Sequence, residues 1–542
     1  MTYSFDNALM TLLPDRASPA IVLATLNAKY IHASLGLRYL LANMGELRPL
    51  TVLREFTIAT PAQQVVDALL LVLDAALAAS DGAAPGVPIV GFGVYVWNVR
   101  QTTAVLRLLK AARPQIRVVL GGPEVSHELD RQQIVELADY VITGWGDLAF
   151  ARLCRALLDG PLPLTKVIAG EPPPLSEIVP PYAEYSDDDL AHRLLYVESS
   201  RGCPFTCEFC LSALDKRAWA FDLDAFLGEL QGLYQRGARN FKFVDRTFNL
   251  KIDASIRILQ FFLDRLPTSD EPLLVHFEVV PDHLPERLGQ MIARFPPGVL
   301  QLEVGVQSFN VEVQQRIARR QDNERSEANL RWLVAQSAAH VHADLIFGLP
   351  GETLESFALG FDRLYALGPH EIQLGLLKRL RGAPIARHTA AYAMVYDAEP
   401  PYTVRQTGAV DAATVLRMTR FARYWELVAN SGRFVQTLSL LLAAGAGSPF
   451  YAFLALADWL WLTSEKTSGW SPESLVDALF DYLCAKRGRS AASVQKALLA
   501  DYLASGARGS PRALAGLLPK REAPRPSRRA LRQDRHLAAR QR

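Results

Sequence analysis

Glu198-Ser199-Ser200-Arg201-Gly202-Cys203-Pro204-Phe205-Thr206-Cys207-Glu208-Phe209-Cys210 decides the reading of this chain. Three thiols at spacings of four and three can wrap one metal centre from a single loop, and Gly202 and Pro204 bend the chain at its entrance. A closed structural zinc site needs four ligands, usually as two separated pairs. No second pair exists: Cys154 and Cys484 lie far away in apolar helical contexts and read as small buried residues. A [4Fe–4S] cluster is held through iron, ordinarily by four cysteines. Three local thiolates leave one iron open to a substrate or cosubstrate. Cys203, Cys207 and Cys210 are therefore the expected metal ligands and catalytic centre.

Working outward, the loop follows an expected strand, Leu194–Glu198. Further β-type runs come at Phe241–Val244, Leu274–Val279, Leu300–Val306, Val341–Phe347 and Glu371–Leu377, with helical stretches between them. Six βα units over residues 193–385 predict a partial (β/α)6 barrel with its chemistry on the loops after the strands. Before it, residues 18–160 alternate apolar β-runs with helices: Ile21–Leu26, Ile89–Val96, Ile116–Leu120 and Tyr140–Thr143. Apolar strands alternating with helices predict a doubly wound, Rossmann-like parallel sheet. Ligands of such sheets sit beyond the carboxyl ends of the strands. Those ends carry Asn27–His32, Trp97–Asn98, Gly121–Glu124 and Gly144–Asp147, and the glycines admit close backbone approach to a bulky ligand. Pro172–Pro174 and Pro180–Pro181 mark residues 161–192 as a linker. Residues 386–518 read as mostly helical.

Beyond the cysteines, the chain resembles the radical S-adenosylmethionine superfamily, whose CxxxCxxC signature is matched by Cys203, Cys207 and Cys210 with Phe209 as the aromatic before the last cysteine. Val244-Asp245-Arg246-Thr247-Phe248 stands where that family recognises the amino group of S-adenosylmethionine. Glu303-Val304-Gly305-Val306-Gln307-Ser308 matches the segment near ribose and carboxylate. Asp344 through Gly348, Pro350, Gly351 and Glu352 resembles the segment that packs on adenine. Together with the preceding domain, the order resembles the cobalamin-binding subclass, and the helical part an uncharacterised extension of one branch. The resemblance implies a [4Fe–4S] cluster, S-adenosylmethionine and cobalamin, with an electron donor such as flavodoxin or ferredoxin. It places Tyr30, His32, Trp97, Gly121, Gly122 and Gly144 around cobalamin. The DxHxxG pattern of many cobalamin domains is broken, with Tyr30 in place of aspartate and Gly36 one residue late. His32 is thus expected to line the site rather than ligate cobalt. Trp97 reads equally as core or ligand wall. Asp245 and Glu303 are expected as site acids, the alternative being buried acids paired with Arg246 or Arg320. His127, His276 and His342 read as structural.

The implied activity is methylation of an unactivated carbon or phosphorus centre in a small metabolite or peptide. Rearrangement, cyclisation or oxidation by the same cofactors is the alternative. A transfer-RNA-modifying enzyme would need a second cysteine set before the barrel, where only Cys154 stands. A non-catalytic iron–sulfur sensor leaves the S-adenosylmethionine-like segments unexplained. Half the residues are apolar and 21 % charged, as in globular proteins. The start of the chain lacks a signal-peptide pattern, and five cysteines with three clustered point to a reducing compartment, so cytoplasm is expected. Leu438–Ala457 has no charge, but Gly445, Gly447, Ser448 and Pro449 break it into two shorter helices rather than a membrane span. Residues 520–542 hold nine Lys/Arg against two acids, so the rest of the chain carries −5 of the net +2. Residues 519–542 are expected to form a disordered, solubilising tail rather than a nucleic-acid contact.

Overall fold

A computed structural model describes residues 20–79, 87–266, 272–442, 447–519, 533, 535 and 536. They fall into two compact units. One holds the described residues up to Ser199 with Trp219–Phe241 and Leu380–Gly382; the other holds Ser200–Ala218, Lys242–Arg379 and the described residues from Ala383 onward.

The first unit is built on strands β1 (Ile21–Asn27), β2 (Thr51–Thr57), β3 (Ile89–Gly93), β4 (Arg117–Gly121), β5 (Tyr140–Gly144) and β6 (Val167–Gly170). They form one parallel sheet in the order β2-β1-β3-β4-β5-β6. Alternate residues of β1 serve opposite faces. Val22, Ala24 and Leu26 pack with the helices Ala62–Ala79 and Val99–Ala112, whereas Ile21 and Leu23 pack with Leu35–Ala42 and Ala149–Asp159. Both faces are covered, which is why these strands read as continuous apolar runs. Two strands fall outside the sequence expectation. β2 is an edge strand whose Arg54 and Glu55 break the apolar run, and β6 lies inside the stretch expected as linker. Chain order reverses between β1 and β3, so the crevice of this sheet opens beyond their carboxyl ends.

The second sheet has six strands in the order of the chain: β7 (Leu195–Val197), β8 (Asn240–Phe243), β9 (Leu274–Val279), β10 (Leu300–Gln307), β11 (His340–Phe347) and β12 (Glu371–Leu376). Pairing from β9 to β12 is parallel. This is the open (β/α)6 array that the sequence predicts. Its helices start where short polar side chains satisfy the first free N–H groups: Asp222, Asp322 and Thr353 cap Leu223–Gln235, Asn323–Gln336 and Leu354–Ala366. Each such cap contributes about 1 kcal/mol. β10 alternates strictly, with Leu300, Leu302, Val304 and Val306 buried and Gln301, Glu303, Gly305 and Gln307 on the other face. One face is oil, and the other carries polar groups for a ligand.

Helices Ala412–Val428, Val435–Leu442, Pro449–Ser464, Pro472–Asp481 and Ala491–Ala504 make up the C-terminal region. Phe421, Trp425, Phe450 and Phe453 pack against Phe361 of the helix Leu354–Ala366 and one another through edge and stacked contacts. Burying each such ring contributes roughly 1.5–3 kcal/mol. Asn430 reads the free edge of β12: Ile372 N donates to its Oδ1 and its Nδ2 donates to Ile372 O, both at 3.0 Å. The Gly445 turn lies outside the described residues, and Ser448 caps the helix after it. Among the described residues no helix is long and apolar enough to cross a membrane. Within the stretch expected as a disordered tail, Gln533, Arg535 and His536 are helical. Gln533 donates to Gln301 Oε1 at 2.7 Å and His536 Nε2 stands 3.0 Å from Asn430 O, so these three residues are packed.

Candidate functional site

The cysteine loop is shaped by backbone approach at Gly202. Its φ is +82°, and a Cβ there would stand 2.1 Å from Arg217 O. Cys203 N then donates to Asp215 O at 3.2 Å. Cys203 and Cys207 are 9 % and 8 % exposed and Cys210 is half-buried. All three line a cavity of about 260 Å³ with Phe209, Arg246, Glu278, Glu303, Gln307, Arg319, Arg320 and Asp344 among its other walls. Burial pushes the Cys203 and Cys207 thiols up; Arg319 opposes this at Cys207.

Two further segments hold the loop. Glu208 N donates to Ile317 O at 3.0 Å, and the buried Glu208 carboxylate is bound by Arg387 and by His388 Nε2, the latter at 2.7 Å. Ile385 N donates to Glu208 O at 2.9 Å. On the other side Arg319 places Nη1 3.6 Å from Cys207 Sγ.

The polar face of the strands forms the opposite wall. Arg246 Nη1 donates to both oxygens of Glu278 at 3.0 Å, so its partner is Glu278 and not Asp245 or Glu303. Glu303 accepts from His276 Nε2 at 3.0 Å and from Lys242 Nζ at 3.4 Å. Burial alone would raise the Glu303 carboxyl, but these partners bring it well below the usual range. Asp344, raised by burial, stands 3.2 Å from His342 Nε2. His276 and His342, read from sequence as structural, thus carry the acids that line the cavity.

The cavity gathers Phe209, Arg246, Glu303, Gln307 and Asp344 from the residues singled out by sequence. Gln307 has φ +70° at a register shift between β10 and β11 and stays on the polar face of the strand. Asp245, Ser308, Gly348 and Pro350 are not among the lining residues. Asp245 is 1 % exposed and accepts from Ser200 Oγ at 2.6 Å. Ser308 Oγ donates to Glu352 at 2.6 Å, and Gly348 turns at φ +90° with its Cα against Val404. Pro350 O accepts from Arg316. Arg319, Glu278 and the Glu208–Arg387–His388 group were missed; an arginine pair after the fourth barrel strand was the one visible signal.

The donor set suits an iron–sulfur cluster. Among the described residues no three His, Cys, Asp or Glu side chains close around a single point, as one metal ion would require. A cubane instead attaches each thiolate to a different iron. Three separate sulfurs on one wall, beside a space, match that demand. Cys154 is fully buried in the core of the first unit, far from any such role.

In the first unit the crevice at the switch point is pinned by Asn98, whose Nδ2 donates to Leu26 O and Gly93 O at 3.1 and 3.0 Å. Trp97 is 48 % exposed and stacks on Tyr95 at 4.4 Å, so it is not a core residue. Gly122 and Gly144 are demanded by the chain itself: a Cβ would stand 2.5 Å from Val94 O or 2.7 Å from Gly170 O. Gly121 is different. A Cβ there would meet only Ile142 O, at 3.8 Å, so its bareness leaves open space that a ligand can use. Tyr30 donates to Asp188 at 2.8 Å under the Arg193 guanidinium. His32 Nδ1 stands 2.7 Å from the Tyr196 hydroxyl. Tyr30 is tied to the segment leading into β7 and His32 to β7 itself. Beneath them Arg38 pairs with Glu55 and Asp189 at 2.8 Å, all deeply buried.

Comparison with known proteins follows the same division. Residues 21–154 match the B12 binding domain, residues 197–361 the Radical SAM superfamily, and residues 390–537 a family described as a protein of unknown function, DUF4080. The chain is 26 % identical over 315 residues to the 2-(S-pantetheinyl)-carbapenam-3-carboxylate methyltransferase of Streptantibioticus cattleyicolor, covering 52 % of this chain and 45 % of that one. It is 31 % identical over 206 residues to an uncharacterized methyltransferase of Pyrococcus horikoshii, covering 32 % and 44 %. The chain thus spans about half the length of the curated relatives it matches. In fold it is similar to the cobalamin-dependent S-adenosylmethionine radical enzyme OxsB, with a TM-score of 0.59 at 14 % identity over 91 % of this chain and 82 % of that one. It is also similar to the radical S-adenosylmethionine methyltransferase TsrM of Kitasatospora setae, with a TM-score of 0.53 at 18 % identity over 69 % and 76 %.

Proposed function

Since the chain belongs to the cobalamin-binding radical S-adenosylmethionine proteins, we propose that it is a methyltransferase acting on an unactivated carbon or phosphorus centre of a small metabolite or peptide. The observation that carries this reading is the set of three thiols, with no fourth, on the wall of a cavity that also presents cations and acids. Bound together, the cofactors supply one-electron cleavage of the sulfur–carbon bond of S-adenosylmethionine and a carrier for its methyl group. Cys203, Cys207 and Cys210 hold the cluster. Arg246 offers a guanidinium group to a carboxylate, and Glu278, Glu303 and Asp344 offer acceptors to an ammonium group and hydroxyls. Phe209 gives an apolar wall. The recessed cavity limits the access of water to a reactive species. Reduction by a flavodoxin or ferredoxin and a cytoplasmic location complete the proposal.

The test is anaerobic reconstitution of the full chain with iron, sulfide and cobalamin, followed by reduction and addition of S-adenosylmethionine. Both 5′-deoxyadenosine and S-adenosylhomocysteine are expected, and neither from Cys203→Ala. Deoxyadenosine without S-adenosylhomocysteine would refute methyl transfer, and the absence of both would refute the radical reading itself.

A further inference from the structure

Arg319 reaches the cysteine loop from a turn that the backbone adopts at a cost. Ala318 has φ +52°, a left-handed conformation that costs an alanine roughly 1–2 kcal/mol. The surroundings enforce it. Glu208 N donates to Ile317 O at 3.0 Å, Thr206 Oγ1 to Ala318 O at 3.4 Å, and Arg319 N to Gln314 O at 2.8 Å. The turn therefore grips the loop on both sides of Cys207 and delivers the Arg319 side chain to its sulfur.

The guanidinium is fixed at three points. Nε donates to Gln321 Oε1 at 2.9 Å, Nη2 to the Gly305 carbonyl, and Nη1 stands 3.6 Å from Cys207 Sγ. Among the described residues no carboxylate pairs with it. The nearest loop acid, Glu208, is already matched by Arg387 and His388. A whole positive charge is thus held against the sulfur with no carboxylate directly bound to it among the described residues.

A cluster gains one negative charge on reduction, spread over its sulfurs. An N–H donor and a fixed cation at one of those sulfurs stabilise the reduced form more than the oxidised one. We propose that Arg319 is a positioning residue that raises the reduction potential of the cluster held by Cys203, Cys207 and Cys210, through its contact with the Cys207 sulfur. This rests on the cluster reading given above. The role differs from binding the cosubstrate, because it operates when S-adenosylmethionine is absent.

The experiment is a potentiometric titration of the reconstituted full chain without S-adenosylmethionine, followed by electron paramagnetic resonance. Wild type, Arg319→Met and Arg319→Lys are compared at equal iron content. In Arg319→Met the ratio of reduced to oxidised cluster at a fixed potential is expected to fall about tenfold, equivalent to about 59 mV for one electron. Arg319→Lys keeps the charge and loses the fork, so its ratio should fall by less. An unchanged potential in Arg319→Met overturns the proposal. If that variant takes up no iron, Arg319→Gln is titrated instead, and an unchanged potential in it overturns the proposal. A normal potential with a weakened spectral response to added S-adenosylmethionine also overturns it and assigns Arg319 to the cosubstrate. Failure of the wild type to form a [4Fe–4S] cluster would refute the functional reading and is distinct from all of these.

Discussion

Glu352→Gln should change the sign of its effect on stability between pH 4 and pH 8. The Glu352 carboxyl is 3 % exposed; Oε1 accepts from Ser308 Oγ at 2.6 Å, and Oε2 is buried without a hydrogen-bond partner. Burial raises it from 4.5 to about 7, with the Ser308 hydroxyl working the other way. In the unfolded chain the carboxyl releases its proton near 4.5, whereas in the folded chain it holds the proton to about 7. The unfolded state therefore binds fewer protons across this window, and stability falls as pH rises through it. The difference of about 2.5 units at about 1.4 kcal/mol each gives a cost of about 3 kcal/mol, absent below pH 4.5 and fully present above pH 7. Glutamine keeps the acceptor for Ser308 and cannot ionise, but it leaves a buried amide N–H unpaired, at about 1 kcal/mol at every pH. The variant should be about 1 kcal/mol less stable near pH 4, close to wild type near pH 5 and about 2 kcal/mol more stable at pH 8. In thermal unfolding followed by circular dichroism, the difference in midpoint from wild type should swing by on the order of 5 °C across that range. The comparison at each pH cancels every other titrating group. A midpoint difference that stays constant from pH 4 to pH 8 would refute the reasoning.

Two substitutions in the first unit separate scaffold from cradle. Gly122→Ala places a Cβ 2.5 Å from Val94 O at φ +110° and should destabilise the unit by about 1–3 kcal/mol, seen as a lower melting point. Gly121→Ala meets only an atom at 3.8 Å, so it should melt like wild type yet lose cobalamin on gel filtration; retention equal to wild type would remove Gly121 from the site. His32→Ala should leave the optical spectrum of bound cobalamin unchanged, because Tyr30 replaces the aspartate of the DxHxxG pattern and the glycine comes one residue late. A shifted spectrum would make His32 a cobalt ligand after all.

The parts of this molecule that were legible in sequence are those fixed by spacing or by burial on both faces. The cysteine triad is local, and a loop that follows a strand carries all three sulfurs to one wall whatever the rest of the chain does. β1, β3, β4 and β5 have helices on both sides and could be read from apolar runs alone. β2 could not: as an edge strand it carries Arg54 and Glu55, and Glu55 accepts from Arg38, Arg193, Asn27 and Ser34 in a buried cluster no local pattern reveals. β6 was hidden by the prolines that flank it.

The acids show the same limit from another side. Asp245 and Glu303 looked equivalent in sequence, each near the end of a barrel strand. Period-two alternation decides for Glu303, which shares its face with Gln301, Gly305 and Gln307 and reaches the cavity. It does not decide for Asp245, which follows β8 in a loop and turns back to Ser200. Which charges meet which is a property of the closed structure: Arg246 finds Glu278 from the neighbouring strand, and Glu208 finds Arg387 and His388 about 180 residues on. Arg319 is the sharpest case, since only the left-handed Ala318 brings it to Cys207, and alanine gives no sign in sequence that it will adopt that conformation. A metal ligand can thus be found by its spacing. The groups that set its potential come from elsewhere in the chain and become visible only once the turn that delivers them has formed.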